Sequence, residues 1–271
     1  MSATLDKAGT RKGAAGTGKL PQPPGVICID LETGFASADE IERRIADWQA
    51  PRNCSRAETI EAKRLEFAQT ACEQSALWDV APILCVACST DKGLIAFDGM
   101  QSGGPPTDPQ GNAVIRCGDE RKLLLALRDF LDLWQTPHEQ VIIVGHNVRG
   151  FDLPKLRLAY LRQRLGLPNV LRVWRDSEDE RVRTADVMTM FAYQFSLENR
   201  PDVGKTPFVS FATVLRYLGI DAYPPGFEGA NCPEWHEQGE YDLVVSKALL
   251  DAQEEFHVYR LMANEAAELD R

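Results

Sequence analysis

The sequence has no uninterrupted apolar run near the roughly 20 residues that a membrane-spanning helix needs, so we expect no transmembrane segment. It also lacks an excess of positive charge, because 30 Lys and Arg stand against 40 Asp and Glu, for a net charge of −10. This balance excludes a histone-like protein that holds nucleic acid by net attraction, but it leaves room for a locally basic groove. The 271 residues suffice for one large domain or two small ones.

The seven cysteines lack the even number and regular spacing of a disulfide framework, and no apolar secretory signal precedes them. We therefore expect reduced thiols and a cytoplasmic protein. Cys85 and Cys88 have the spacing of a zinc knuckle, but they lie inside an apolar run without a matching Cys or His pair. Two buried strand thiols are the better interpretation.

Residues 1–24 are rich in Gly, Pro, Lys and Arg and have almost no large apolar side chains, which predicts a disordered, slightly basic tail. We predict that residues 25–271 form one domain. Apolar runs and alternation predict strands over 26–29, 82–88, 94–97, 140–145 and the start of 182–190. Helical periodicity predicts helices over 38–49, 56–77, 119–134, 152–165, 209–218 and 243–267, with a loop over 101–111.

The order of these elements predicts an α/β domain with a mixed central sheet flanked by helices. Hairpin-linked strands come first, and helix-separated strands follow. The first two helices form an insert over about residues 37–80, directly after the first strand. Its periodicity leaves three roles open: a lid, a partner surface or an oligomer contact.

Two carboxylates close the first predicted strand. Asp30 and Glu32 lie two residues apart, so their side chains project from the same face of a strand. Neighbouring carboxylates repel one another and are costly to desolvate unless a cation binds between them. The pair therefore indicates a metal site, and two solvent-exposed acids at a strand end are the alternative.

Two further acids are candidates for the same site. Asp152 follows the strand 140–145 and precedes a proline by two residues, which is typical of an N-cap at a helix start. Functional sites of open α/β sheets lie at the carboxyl ends of strands, so Asp152 is well placed to reach a cation held by Asp30. Asp251 lies on an acidic C-terminal helix and, taken alone, is typical of a solvated face.

Together, the order Asp-x-Glu, Asp after a strand and Asp on a late helix resembles the DEDD-type 3′–5′ exonucleases of the DnaQ-like, ribonuclease H-like superfamily. The stretch 29–33 (IDLET) is similar to their first motif, and 145–147 (GHN) with 151–154 (FDLP) to their second. The insert and the stretch 208–220 resemble parts of family-B DNA polymerase exonuclease domains and their stand-alone, often phage-encoded, relatives. The resemblance spans about residues 25–265 and implies a ribonuclease H-like sheet.

The resemblance also implies a two-metal phosphodiester hydrolase. Asp30 would bridge two Mg²⁺ or Mn²⁺ ions about 3.5–4 Å apart, and Glu32, Asp152 and Asp251 would complete their coordination. One ion would activate the attacking water, and the other would stabilise the leaving 3′ oxygen. The partner would be a single-stranded 3′ end of DNA or RNA. The residues that would contact its terminal nucleotide are Leu31, Thr33, His146, Asn147 and Phe151.

The third motif departs from this family, which usually has a Tyr four residues, or a His five residues, before the last Asp to orient or deprotonate the water. Lys247 and Ser246 occupy those positions here. Lys247 can act as the missing base only if burial or a neighbouring cation lowers its pKa. The substitution puts the rate of hydrolysis, and the activity itself, in question.

A basic stretch follows the second motif. No acid occurs between residues 153 and 175, and the basic side chains there, with one just before, are Arg149, Lys155, Arg157, Arg162, Arg164, Arg172 and Arg175. A nucleic-acid surface and a solvated cationic helix face are the two interpretations of this pattern.

Three functional hypotheses follow from these residues. The leading one is a metal-dependent exonuclease that releases nucleoside monophosphates from a 3′ end of DNA or RNA. The alternative from another class is a nucleic-acid-binding or scaffolding protein that keeps the exonuclease fold but hydrolyses weakly or not at all. The third is a different ribonuclease H-like activity, such as endonucleolytic or structure-specific cutting.

Overall fold

A computed structural model describes residues 23–100, 103–173, 182–194, 209–221, 223–224 and 226–269. Residues 1–22 of the predicted tail lie outside this part of the chain, as does Arg175. The strands of the described part are β1 Gly25–Thr33, β2 Ile83–Thr90, β3 Gly93–Asp98, β4 Ala113–Arg116, β5 Val141–Gly145 and β6 Val182–Asp186.

These strands form one mixed sheet in the order β4-β3-β2-β1-β5-β6. β2 runs antiparallel to β1 and β3, whereas β5 and β6 run parallel to β1 and β4 runs parallel to β3. The predicted α/β class with a mixed sheet is therefore confirmed. β1 lies inside the sheet, between β2 and β5, and its apolar residues are buried on both faces.

Helices cover both faces of the sheet. They are α1 Ala38–Ala46, α2 Ala57–Ser75, α3 Glu120–Gln135, α4 Asp152–Arg162, α5 Asn169–Val173, α6 Val187–Gln194, α7 Phe211–Tyr217, a 3₁₀ turn Gly229–Asn231, α8 Cys232–Glu237 and α9 Tyr241–Leu269. α3, α4 and α5 share a core with Ile27 and Ile29 of β1. α6, α7 and α9 share another with Cys28, on the opposite face.

Several short elements were not predicted. The sequence of β4, AVIR, has no clear alternation of apolar and polar residues, and the six residues of α8 span fewer than two helical turns. β4 forms by pairing with β3, from Ile95 opposite Ala113 to Asp98 opposite Arg116. The other missed helical elements are α5 and the 3₁₀ turn. Tertiary pairing, rather than local pattern, defines these segments.

The insert is a pair of helices that contributes little to the core. α1 has no buried residue, and the buried residues of α2 are Ala71 and Ser75, near its C-terminal end. We call α1, α2 and the loop between them the arm. That C-terminal end is anchored to the domain because Lys155 donates to the carbonyl oxygens of Ala76 and Trp78.

The cysteines behave as predicted. All seven are free thiols, and Cys85 and Cys88 are buried in β2. None of the described helices combines the length and the apolar character needed to cross a lipid bilayer.

Candidate metal centre

β1 places two carboxylates on the face of the sheet that α9 covers. Asp30 and Glu32 lie opposite Ala87 and Cys85 of β2. Glu32 is only 7% exposed. The side chains share one face, as the two-residue period of a strand predicts.

α9 crosses this face and adds a third carboxylate. Asp30, Glu32 and Asp251 each offer one oxygen atom, and these three atoms lie within 4.8 Å of one another. We call these residues the acid cluster. α9 reaches β1 because its apolar residues, such as Val244 and Ala248, pack against the sheet. Three converging carboxylate oxygens can hold a divalent cation.

Asp152 lies beside the acid cluster, directly after the turn that links β5 to α4. It is 4% exposed. The expectation that Asp152 caps the helix is wrong, because Phe151 is the N-cap and Asp152 is the first helical residue. Burial and then the charge of Asp30 raise the pKa of Asp152 well above its ordinary range. This coupling indicates that the two carboxyl groups are close in space.

Burial and mutual repulsion increase the proton affinity of Asp30 and Glu32. Burial, followed by the charges of Asp251 and Glu32, raises the pKa of Asp30 well above its usual value. Burial raises the pKa of Glu32 to about 8, with Lys247 opposing the shift and Asp251 adding to it. A divalent cation would lower these pKa values, because it favours the ionised carboxylates.

Two oxygen atoms of the acid cluster have no hydrogen-bond partner among the described residues. They are Asp30 Oδ2 and Asp251 Oδ1, and both are inaccessible to solvent. Buried polar atoms are nearly always paired, so these oxygens are suited to bind a cation. Carboxylate oxygens are also the ligands that Mg²⁺ and Mn²⁺ prefer. The residues present therefore fit the metal expected from the sequence.

Lys247 lies next to the acid cluster, one turn before Asp251. Its Nζ atom donates to Asp251 Oδ2 and lies 4.7 Å from the ring centroid of Tyr223. Burial alone would lower the pKa of Lys247, but the charges of Asp251, Glu32 and Asp30 outweigh it, so the pKa is raised. Lys247 could act as a base only if its pKa were lowered. In the protein alone, the pKa is instead raised, so Lys247 stays protonated.

Ser246, at the other position that differs from the family, lies away from the acid cluster. It lines a separate cavity near the start of α9, together with Asp242 and Arg116. Ser246 is one residue before Lys247, and successive helical residues point about 100° apart. It therefore has no role in the site.

Two residues of the site were missed by sequence reasoning. Glu255 lies one turn after Asp251, is 4% exposed and accepts a hydrogen bond from Cys28 Sγ at 3.4 Å. The signal in the sequence is the position of Glu255 four residues after Asp251, which places the two side chains next to each other on a helix. Tyr223, whose hydroxyl oxygen is buried, comes from the segment before α8. No local pattern marks Tyr223, since tertiary packing alone brings it to Lys247.

Asp186 at the end of β6 holds the turn of the second motif. It accepts hydrogen bonds from the backbone N–H of Asn147 at 3.2 Å and of Arg149 at 3.3 Å. Asn147 has a φ of 57°, in the left-handed region that Asn tolerates better than most residues. The His146 ring packs 5.3 Å from Phe211, and burial lowers its pKa, so the imidazole is neutral at pH 7.

A cavity of about 510 Å³ adjoins the acid cluster at Glu32. Leu31, Thr33 and Phe151 line it, whereas His146 and Asn147 do not. Three of the five residues expected at the terminal nucleotide therefore share one cavity with a cluster carboxylate. Its other walls are the C-terminal end of α2 and the segment from Gly229 to Glu234.

Most basic side chains of the stretch after the second motif hydrogen-bond to other parts of the protein, although Lys155 is the one that is buried among those described. Five of its side chains donate hydrogen bonds: Arg149 to Thr184, Lys155 to Ala76 and Trp78, Arg157 to Leu171, Arg162 to Asp79 and Glu120, and Arg172 to Leu167. These contacts hold loops and the end of α2. Arg149, Arg162, Arg164 and Arg172 are nevertheless exposed, so a nucleic-acid surface and a solvated cationic face both stay predictions for this stretch.

Comparison with known proteins identifies no relative, because no family model and no curated protein sequence matches the chain.

Proposed function

We propose that this chain is a metal-dependent 3′–5′ exonuclease with a ribonuclease H-like fold, which hydrolyses phosphodiester bonds of DNA or RNA. The observation that carries the proposal is the convergence of Asp30, Glu32 and Asp251 within 4.8 Å. The order and directions of the strands are compatible with that fold. Asp152, beside Asp30, supplies the fourth carboxylate of the expected set.

The charge of the site supports binding of two divalent cations. The site combines one ammonium group with five carboxyl groups: Asp251, Glu32 and Asp30 interact with Lys247, and Asp152 and Glu255 interact with Asp30. When ionised, these groups leave four unbalanced negative charges, which two divalent ions would neutralise. Such ions supply Lewis acidity and lower the pKa of a bound water.

The protein's own groups have separate tasks in this proposal. Asp30, Glu32 and Asp251, with Asp152, are the residues that would hold the ions. Lys247 keeps Asp251 in place and adds positive charge beside the phosphoryl group. Among the described residues, the 510 Å³ cavity is lined by Glu32, Glu73 and Glu234 and by no Lys or Arg, so it suits the uncharged base and sugar of a terminal nucleotide rather than a phosphate.

One observation favours the alternative, a binding or scaffolding protein with weak hydrolysis. The raised pKa of Lys247 leaves it protonated, so the position where related enzymes have a Tyr or His holds a cation. An ammonium group can stabilise negative charge, but it cannot remove a proton from water. Hydrolysis would then depend on the metal ions for deprotonation.

The decisive experiment uses 5′-labelled single-stranded DNA and RNA with Mg²⁺ or Mn²⁺. We expect a ladder shortened from the 3′ end, no product in EDTA, and no cleavage of a circular strand. Asp30→Asn should reduce the rate by about a thousandfold, which is about 4 kcal/mol in the barrier. The control is Asp91→Asn, which removes an exposed carboxylate from the turn between β2 and β3.

Each outcome discriminates between the hypotheses. Binding of the strand without cleavage under either metal would favour the scaffold. Cleavage of the circle would favour an endonuclease. Equal activity of Asp30→Asn and the control would exclude the acid cluster as the site.

A further inference from the structure

The N-terminal half of α2 extends beyond the packed part of the domain. Every residue from 57 to 66 is exposed except Ile60, which is half-buried, whereas the buried residues lie at the opposite end of the helix. Isolated helices are marginal in water, and most helical stability comes from packing an apolar face. This half of α2 therefore makes few packing contacts that would stabilise it as a helix.

Its charges are sorted by face. Arg56, Lys63 and Arg64 share a side of α2 with Ile60 and Phe67, since these positions follow the helical spacing of four, seven, eight and eleven residues. Two acids of this segment, Glu58 and Glu61, lie on other sides of the helix, whereas Glu66 lines the same groove as Lys63 and Phe67. Arg52, in the loop before α2, adds a fourth exposed cation.

These cations differ from several, but not all, of the other basic residues of the described chain. Nearby, Arg43 and Arg44 of α1 pair with Glu40, and the basic stretch after the second motif is engaged with loops. Among the described residues, no ion pair or hydrogen bond of the Arg56, Lys63 or Arg64 side chain is found. This side of α2 therefore presents three unpaired cations to a ligand from outside the domain, although the arm as a whole has eight acidic and six basic residues.

Aromatic rings lie beside this charge. Trp48 and Phe67 line a groove of about 240 Å³, with Lys63 at its edge. Phe67 is also stacked on Trp78, with ring centroids 6.4 Å apart. Aromatic faces beside a basic track are the usual means by which proteins bind a single strand without reading its sequence.

α2 connects this groove to the candidate active site. Glu73, Ala76 and Leu77, at its C-terminal end, line the cavity next to Glu32. At about 1.5 Å per residue, Lys63 lies about 15 Å from Glu73 along the helix, and Arg56 lies about 25 Å away. A strand with its 3′ end in the cavity can therefore place upstream phosphates along the arm.

We infer that the arm binds the single strand upstream of its 3′ end, through phosphate contacts of Arg56, Lys63 and Arg64 and base stacking in the groove. This inference rests on the proposed exonuclease function for the position of the 3′ end. Strand binding by the arm, however, can be measured without hydrolysis. Charge complementarity and continuity with the cavity favour nucleic acid over a second copy of the chain.

The test is the triple variant Arg56→Gln, Lys63→Gln and Arg64→Gln, since Gln has a helix propensity close to that of Arg and Lys. In EDTA we expect a labelled 20-nucleotide strand to bind at least tenfold more weakly. The slope of log affinity against log salt should fall by about 2, because each phosphate contact to a single strand contributes about 0.7.

The matched control removes the same charge from exposed side chains outside the arm, in Lys92→Gln, Arg216→Gln and Arg260→Gln. It should bind the strand as the unaltered chain does. Circular dichroism and the unfolding temperature verify that both variants are folded. Equal weakening of both variants would overturn the inference, because it would show only a general charge effect.

Hydrolysis with Mg²⁺ or Mn²⁺ gives an independent readout. A dinucleotide has only its scissile phosphate, so the arm variant should hydrolyse it at the unaltered rate while losing kcat/KM on the 20-nucleotide strand. If the arm variant keeps the kcat/KM of the unaltered chain on the 20-nucleotide strand as well as on the dinucleotide, the inference is overturned and the exonuclease proposal is left intact. Loss of strand binding by the arm variant, without hydrolysis by any form, would support the arm and refute the exonuclease. Unchanged strand binding with altered self-association would assign the arm to a second copy of the chain.

Discussion

At the scale of single residues, Lys247 sets the charge balance of the acid cluster, because it places an ammonium group beside three carboxyl groups. It is buried, it donates to Asp251, and the charge of Asp251 is the largest of those that raise its pKa and keep it protonated. Its sequence position, four residues before Asp251, identified it as the unusual group. Whether it is a base or a fixed cation depended on the surrounding charges, which local sequence does not encode.

Replacing Lys247 by Met tests its role as an internal cation. Removal of one partner from a buried ion pair costs about 3 kcal/mol, so the free energy of unfolding in EDTA should fall by about that amount. Mn²⁺ should restore most of this loss, because the ion would supply the missing positive charge. Urea unfolding with and without Mn²⁺ measures both effects.

The control for that prediction is Lys122→Met, since the Lys122 ammonium is exposed and pairs with Asp119 at the surface. It should change the free energy of unfolding by no more than about 0.5 kcal/mol. A Mn²⁺ response in Lys247→Met no larger than in the unaltered chain would contradict the electrostatic role.

At the scale of elements, the arm depends on a few contacts at the end of α2. Thr33 Oγ1 donates to the Ala76 carbonyl oxygen at 2.8 Å, and the Ser75 hydroxyl oxygen accepts from the Ala36 N–H at 3.0 Å. Lys155 adds a cation at the same carbonyl groups. The position of the arm, and of the cavity wall that it forms, therefore depends on Lys155.

We expect Lys155→Met to loosen the arm without unfolding the sheet. Loss of the buried donor leaves carbonyl oxygens unpaired, at a cost of about 2 kcal/mol. Hydrogen exchange should accelerate at least tenfold in α2 and remain unchanged in β1 and β2. Lys63→Met, on the exposed part of the same helix, is the control and should exchange like the unaltered chain. Equal acceleration across arm and sheet would contradict the prediction.

At the scale of the whole molecule, the buried carboxyl groups couple stability to pH. Burial is the largest cause of the raised pKa of Asp30, Asp152 and Glu255, and it raises that of Glu32 to about 8. Unfolded carboxyl groups titrate near pH 4. The folded chain without metal therefore binds more protons than the unfolded chain between about pH 4 and pH 8.

The free energy of unfolding in EDTA should consequently fall as pH rises through this window, by about 1.4 kcal/mol per pH unit for each extra proton. In Mn²⁺ the trend should flatten or reverse, since protons and the cation compete for the same oxygens. Urea unfolding from pH 5.5 to 8 measures both slopes. Glu255→Gln should reduce the EDTA slope, and a flat EDTA profile in the unaltered chain would refute the prediction.

Much of the architecture was predictable because its signals are local. The two-residue period of β1 placed Asp30 and Glu32 on one face, and helical periodicity located α2, α3 and α9 to within a few residues. The short elements β4 and α8 were missed, since β4 has no clear alternation and α8 spans fewer than two helical turns. They exist because other parts of the chain pack against them.

The sequence by itself determined which acids are available and which of them share a strand face, because backbone geometry sets that relation between neighbours. Only the tertiary structure decided that α9 turns Asp251 and Glu255 toward β1, that Lys247 stays charged among them, and that Lys155 anchors the arm. The physical reason is that burial and Coulomb energies depend on distances between segments far apart in the chain. Those distances arise from packing and have no local pattern.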